Sequence, residues 1–248
     1  MRHEPAYRVF RQHESVTMKY IIEFSKTGTI CYTSHLDIMK VFKRAFKKVG
    51  IGIAYSQGFN PHPKMGFAQP LSLGYWGLEE YVEFETVEES DPEEMLSKLS
   101  VVMPKGLVLK RILQAPWLKK TLAAENVAAE YLIEIPVGAD QFHGKTSDEI
   151  RDAFMAQDEI LAWKKKKKKP EPVQVNIKNG IQSISIDEKE GLLYLNTVLD
   201  SGSESNVSPE LLIASFKEFF DIDVSRADIN VARKRLLFKD TTEQYIHG

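Results

Sequence analysis

Met18-Lys19-Tyr20-Ile21-Ile22-Glu23-Phe24 alternates as a strand does, and Ser34-His35-Leu36-Asp37, a little further on, opens a helix. Ser34 is a favourable N-cap, and Asp37 places a carboxylate at the third helical position, where orphan backbone donors need an acceptor. Leu36, Met39, Phe42, Phe46 and Val49 then recur at helical spacing, and Gly50 stands where a left-handed stop is expected. A strand that feeds such a helix is the opening of a split β-α-β unit.

The remaining elements extend that order. Residues 51–56 read as a short strand and residues 80–87 as a longer one, with Val82, Phe84 and Thr86 on one side and Tyr81, Glu83 and Glu85 on the other. Asp91-Pro92 opens a helix through Val101, and residues 107–113 close the unit with a strand. After Pro116 the order recurs: strand 130–136, helix 147–156, strands from Glu159 into a lysine run and over 173–177, 181–186 and 191–198, helix 209–220 and strand 229–238. The expected class is α+β, two tandem ferredoxin-like domains with antiparallel sheets at 18–120 and 121–248. Residues 1–17 read as an extension ahead of Met18.

With 248 residues, 43% hydrophobic and 27% charged, the chain is long enough for a substantial core and too apolar for a disordered one. A formal net charge of −2 excludes a globally basic nucleic-acid packager. One cysteine, Cys31, cannot form an intrachain disulfide, a four-cysteine zinc site or a cysteine-ligated iron–sulfur cluster. No secretory signal or membrane-spanning run is legible, so a cytoplasmic location is expected. There is no G-x-G-x-x-G, P-loop or G-x-S-x-G pattern, which leaves dinucleotide, ATP and serine-hydrolase chemistry without support.

Charge is uneven. Residues 18–75 hold eight basic residues against two acidic ones, whereas Glu79 to Glu94 holds nine acidic residues and no basic one. Polyanion binding needs only a basic face, and Lys26, Lys64 and the helix lysines lie near Tyr55, Phe59 and Phe67, whose rings suit unpaired bases. The opposing reading makes the lysines a solvated helix face and the rings core. Phe59, between Gly58 and Asn60, fits that opposing reading least. Lys164 to Lys169 is a second basic run, in which Lys164 and Lys166 are candidate phosphate contacts. His35 and His62 are the candidates for acid–base chemistry, such as attack by a ribose 2′-hydroxyl.

Phe24-Ser25-Lys26-Thr27-Gly28, Ser34-His35-Leu36-Asp37 and Tyr55-Ser56-Gln57-Gly58-Phe59-Asn60-Pro61-His62-Pro63-Lys64 together resemble the bacterial radical-SAM-linked protein family, a domain of unknown function. Members occur beside or fused to a radical SAM protein that often carries a cobalamin-binding-type domain. The resemblance implies a partner that holds the [4Fe–4S] cluster, S-adenosylmethionine and cobalamin, while this chain, with its one cysteine, binds none of them. Our expectation is that Lys26, His35, Tyr55, Gln57, Phe59, Asn60, His62 and Lys64 form a surface shared by RNA and partner. With the basic patch this suggests an accessory protein that presents RNA, a tRNA or an rRNA. The double ferredoxin-like order is similar to that of CRISPR RNA-processing endoribonucleases, which leaves a metal-independent nuclease as one alternative and a protein-docking module as another.

Overall fold

The computed structural model describes residues 17–138, 140–165 and 171–248. Of the extension expected at 1–17, residues 1–16 lie outside the described residues, as does Lys166.

β1 (Met18–Lys26) leads through a 3-10 turn at Gly28–Tyr32 into α1 (His35–Val49). Ser34 Oγ accepts the Asp37 N–H, and Gly50 ends the helix at φ 77°, as the sequence predicts. β2 (Met65–Phe67), β3 (Trp76–Thr86), α2 (Pro92–Ser100) and β4 (Leu107–Gln114) complete the first half. The strand expected at 51–56 is absent. Only isolated bridges form there, Ile53 to Thr86 and Tyr55 to Pro63. Gly52 has no side chain to pack and Pro63 has no N–H to donate, so the ladder begins only at Met65.

The second half contains α3 (Leu122–Glu125), β5 (Asn126–Pro136), α4 (Ser147–Met155), β6 (Leu161–Lys164), β7 (Val173–Asn176), β8 (Ile181–Lys189), β9 (Leu192–Asp200), α5 (Pro209–Phe219), β10 (Asn230–Phe238) and α6 (Asp240–His247). The helices α3 and α6 are additions to the expected order. β6 and β7 form a separate two-stranded hairpin.

In place of two sheets there is one of eight strands, ordered β4-β1-β3-β10-β5-β9-β8, with β2 beside β3. It is antiparallel except at the seam, where β10 runs parallel to β3 through Ala232–Trp76 and Arg233–Gly77. β2 and β10 share one edge of β3: β2 takes Val82 to Phe84, and β10 takes the N-terminal end. β3 is therefore enclosed. Tyr81 and Val82, on opposite faces, are both buried, and so are Glu80 and Glu83. Both sides of this strand are core because the second half and the segment around Leu118 and Leu122 cover the face that carries Tyr81.

One core, built on Tyr20, Ile22, Phe24, Phe42, Phe46 and Phe84, lies under α1 and α2. A larger one joins Ile133, Leu193 and Leu195 to Phe154 of α4 and Phe216 of α5. Alternate positions of β5 and β9, including Leu132, Tyr194 and Val198, are only half-buried, because α4 and α5 pack on the opposite face.

Candidate nucleic-acid interface

The basic, aromatic sequence strings separate into two environments. The first is an interior polar seam. Lys26, at the end of β1, is 3% exposed, and its Nζ donates to the carbonyls of Cys31 (3.1 Å) and Thr33 (2.9 Å). It is thus a strut for the turn before α1, not the surface cation the sequence suggested. Burial holds its pKa below the ordinary lysine value, with nearby Arg233 adding to the effect against the opposing pull of Glu80.

Glu80 and Arg233 join the two halves. Arg233 donates to both Glu80 oxygens at 2.8 and 2.5 Å and to the carbonyls of Gln69 (2.8 Å) and Pro70 (3.3 Å). Burial opposes its charge, but Glu80 outweighs burial and holds the guanidinium firmly protonated. A Cβ on Gly77 would stand 2.5 Å from the Glu80 side chain, so this register position leaves room for the pair.

His35, the first residue of α1, packs edge-on against Phe67 with ring centroids 4.9 Å apart. Burial lowers its pKa below the ordinary histidine value, and the charges of Lys26 and Arg233 lower it further. The crevice that it lines with Phe24, Lys26, Phe67, Gln69 and Glu80 holds about 20 Å³, space for one water rather than a substrate.

The second environment is the loop between the Tyr55–Pro63 bridge residues. Its base is closed by Ser56 N–H to the His62 carbonyl (2.8 Å), His62 N–H to Ser56 Oγ (2.9 Å) and Lys64 N–H to the Ala54 carbonyl (2.8 Å). Gly58 turns the apex at φ 127°, a conformation L side chains rarely adopt. Gln57, Asn60 and His62 are exposed, Tyr55 is 55% exposed, and Phe59 is fully so at 112%. Lys64 leaves the loop to pair with Glu85 at 2.7 Å.

Four exposed cations along α1, Lys43, Arg44, Lys47 and Lys48, have no ion pair among the described residues. Lys40 is tied to Asp37 at 2.9 Å. Lys164 is exposed at the end of β6 beside Trp163, which is 57% exposed, on an element separate from the loop and α1.

A cleft of about 330 Å³ opens beside the loop base, lined in part by Lys19, Lys64, Gly66, Glu83, Glu85 and Thr121. Burial pushes the Glu83 carboxyl up to about 7, against the N–H of Leu122, which donates to it at 3.1 Å. Sequence reading assigned no role to Glu80, Glu83 or Arg233. The acidic run concealed the two glutamates among solvated neighbours, and no local signal marks Arg233 as buried.

No curated protein matches the chain. Two solved structures are similar to it. An unknown protein from Galdieria sulphuraria is 12% identical, with 88% of this chain and 99% of that chain covered and a TM-score of 0.27. A "putative glycine cleavage system transcriptional repressor" is 14% identical, with 91% and 100% covered and a TM-score of 0.22. Scores this low carry no argument about fold or function. Residues 19–209 match a bacterial family that takes in both the Lys26–His35 region and the Tyr55–Lys64 loop. The chain belongs to the family described as uncharacterized protein conserved in bacteria, DUF2344.

Proposed function

We propose that this chain is a noncatalytic accessory protein that binds RNA, a tRNA or an rRNA, and presents it to a radical SAM enzyme. The observation that carries the reading is Phe59, a fully exposed ring on a loop whose base is held by backbone hydrogen bonds. Exposing a large aromatic costs solvation, and a stacking partner would recover it. Lys43, Arg44, Lys47 and Lys48, exposed along α1, supply charge for phosphates. The partner would carry the [4Fe–4S] cluster, S-adenosylmethionine and cobalamin.

The strand order supports the finer fold reading as well. β4-β1-β3-β2 in the first half and β10-β5-β9-β8 in the second repeat one arrangement, with a helix after the first and third strand of each. We read these as two tandem ferredoxin-like units fused edge to edge.

The nuclease reading has less behind it. His35 packs on Phe67 in a crevice with space for one water, and neither its ring nor that of His62 hydrogen-bonds to a described residue. Titrating the protein into a short single-stranded RNA at rising salt tests the accessory reading. Affinity should fall linearly on a logarithmic salt scale and the RNA should stay intact. Salt-independent binding, or none, would overturn it. Cleavage abolished by His35→Ala or His62→Ala would replace it with the nuclease.

A further inference from the structure

The half-sheet of β10, β5, β9 and β8 is covered by helices on one face, through Phe154 and Phe216. Its other face is continuous across the seam. Trp76 pairs with Ala232, Ala232 with Leu132, and Leu132 with Asn196, so these side chains lie in one row over four strands. A second row runs from Glu134 to Tyr194 to Asp187. None of these residues is buried, and Trp76 is 48% exposed. Trp76, Leu78, Leu132 and Ala232 help to line a cleft of about 240 Å³ at the seam, room for a large apolar side chain. An apolar strip that crosses two halves of a molecule is more than scattered surface hydrophobics.

Charge on this face selects the occupant. Glu134 accepts only from Asn230 Nδ2, at 3.2 Å, and neither Glu134 nor Asp187 has an ion pair among the described residues. The neighbouring cations are already engaged: Lys234 and Arg235 are both held by Glu130, at 2.5 and 2.9 Å, and Lys189, two residues along β8 from Asp187, is paired with Glu190 at 3.8 Å. The strip therefore presents apolar and aromatic groups beside uncompensated negative charge. Phosphates are repelled by such a face, and a second copy would bring the same carboxylates against themselves. A segment with an apolar stripe flanked by lysine or arginine meets both demands.

We propose that this open face is the docking surface for a protein partner, which lays a basic amphipathic helix along Trp76, Leu132 and Tyr194 with its cations on Glu134 and Asp187. The inference rests on the accessory reading and assigns the partner a surface separate from the RNA loop.

The test uses the full chain and a radical SAM protein from the same genome, with complex affinity and RNA affinity measured in parallel. Trp76→Glu/Leu132→Glu should weaken the complex by about tenfold or more and leave RNA binding unchanged. Glu134→Lys/Asp187→Lys should weaken it as well, and Glu134→Gln/Asp187→Asn, which keeps shape and fold, should weaken it less and flatten its salt dependence. A zero-length carbodiimide should link Glu134 or Asp187 to partner lysines. A complex unchanged in the folded face variants would overturn the docking assignment alone. Failure of the wild-type chain to form any complex would overturn the accessory reading and the docking assignment with it. Loss of RNA affinity, or of self-association, in the face variants while the complex persists would give the face to RNA or to a second copy and also overturn the proposal.

Discussion

Lys26 and Lys64 come from the same basic stretch, and each sits beside an aromatic and a carboxylate, yet they occupy opposite settings. Lys26 is enclosed with Glu80 and His35 in a crevice with no space for a ligand. Lys64 stands at the root of a loop that projects Tyr55 and Phe59 into solvent. In the seam, polar groups are satisfied by one another and their removal is a matter of stability. In the loop, side chains satisfy little within the molecule and their removal is a matter of recognition.

The sharpest way to break that contrast is Arg233→Ala. It strands the Glu80 carboxylate in the interior and should cost about 3–5 kcal/mol, lowering the melting temperature by roughly 6–20 °C for a chain of this size. A melting curve within a degree or two of wild type would mean that the seam is not what joins the halves. Replacing both partners, Glu80→Met with Arg233→Met, should be far milder, since no orphan charge remains.

Glu83 gives the next largest effect and has a definite sign. Its folded pKa, about 7, lies above the ordinary 4.5, so the native state favours the protonated form. That stability is fully present below about pH 4.5 and is lost as pH rises toward and through 7, a span worth roughly 3 kcal/mol. Glu83→Gln, which still accepts the Leu122 N–H, should stabilise the protein at pH 8 relative to wild type and change little at pH 4. Denaturant titrations at the two pH values check this, and an equal effect at both would refute it.

On the loop side, Phe59→Ala should leave stability within about 0.5 kcal/mol while weakening single-stranded RNA binding by about 1–3 kcal/mol. Unaltered RNA affinity would return Phe59 to the class of unexplained surface aromatics. The smallest effect is expected of Lys43→Glu/Lys47→Glu, which should weaken binding to all RNA sequences alike and reduce the salt slope by about two.

Much of the element order was legible because it is carried by local chemistry. Ser34 and Asp37 start α1, Gly50 stops it, and Asp91-Pro92 starts α2, each within a few residues of the feature it controls. The loop was legible too, since Gly58, Pro61 and Pro63 exclude regular structure. The seam was not, because Glu80 and Arg233 lie far apart in sequence and each has the look of a surface charge until its partner is known. The open face was hidden for the same reason: alternation in β5 and β9 identifies two sides of a strand but not which side a helix will cover.

The sequence by itself determined most of the strands and helices, the irregular loop around Gly58, Pro61 and Pro63, and the count of one cysteine. Caps, turns and periodicity act over a few residues, and a residue count needs no structure. Only the tertiary structure decided that the two halves share one sheet, that Lys26 is interior while Phe59 is not, and that one sheet face is left open. Those outcomes depend on which long-range partner removes a group from water, and pairing at a distance leaves no mark in the order of the residues.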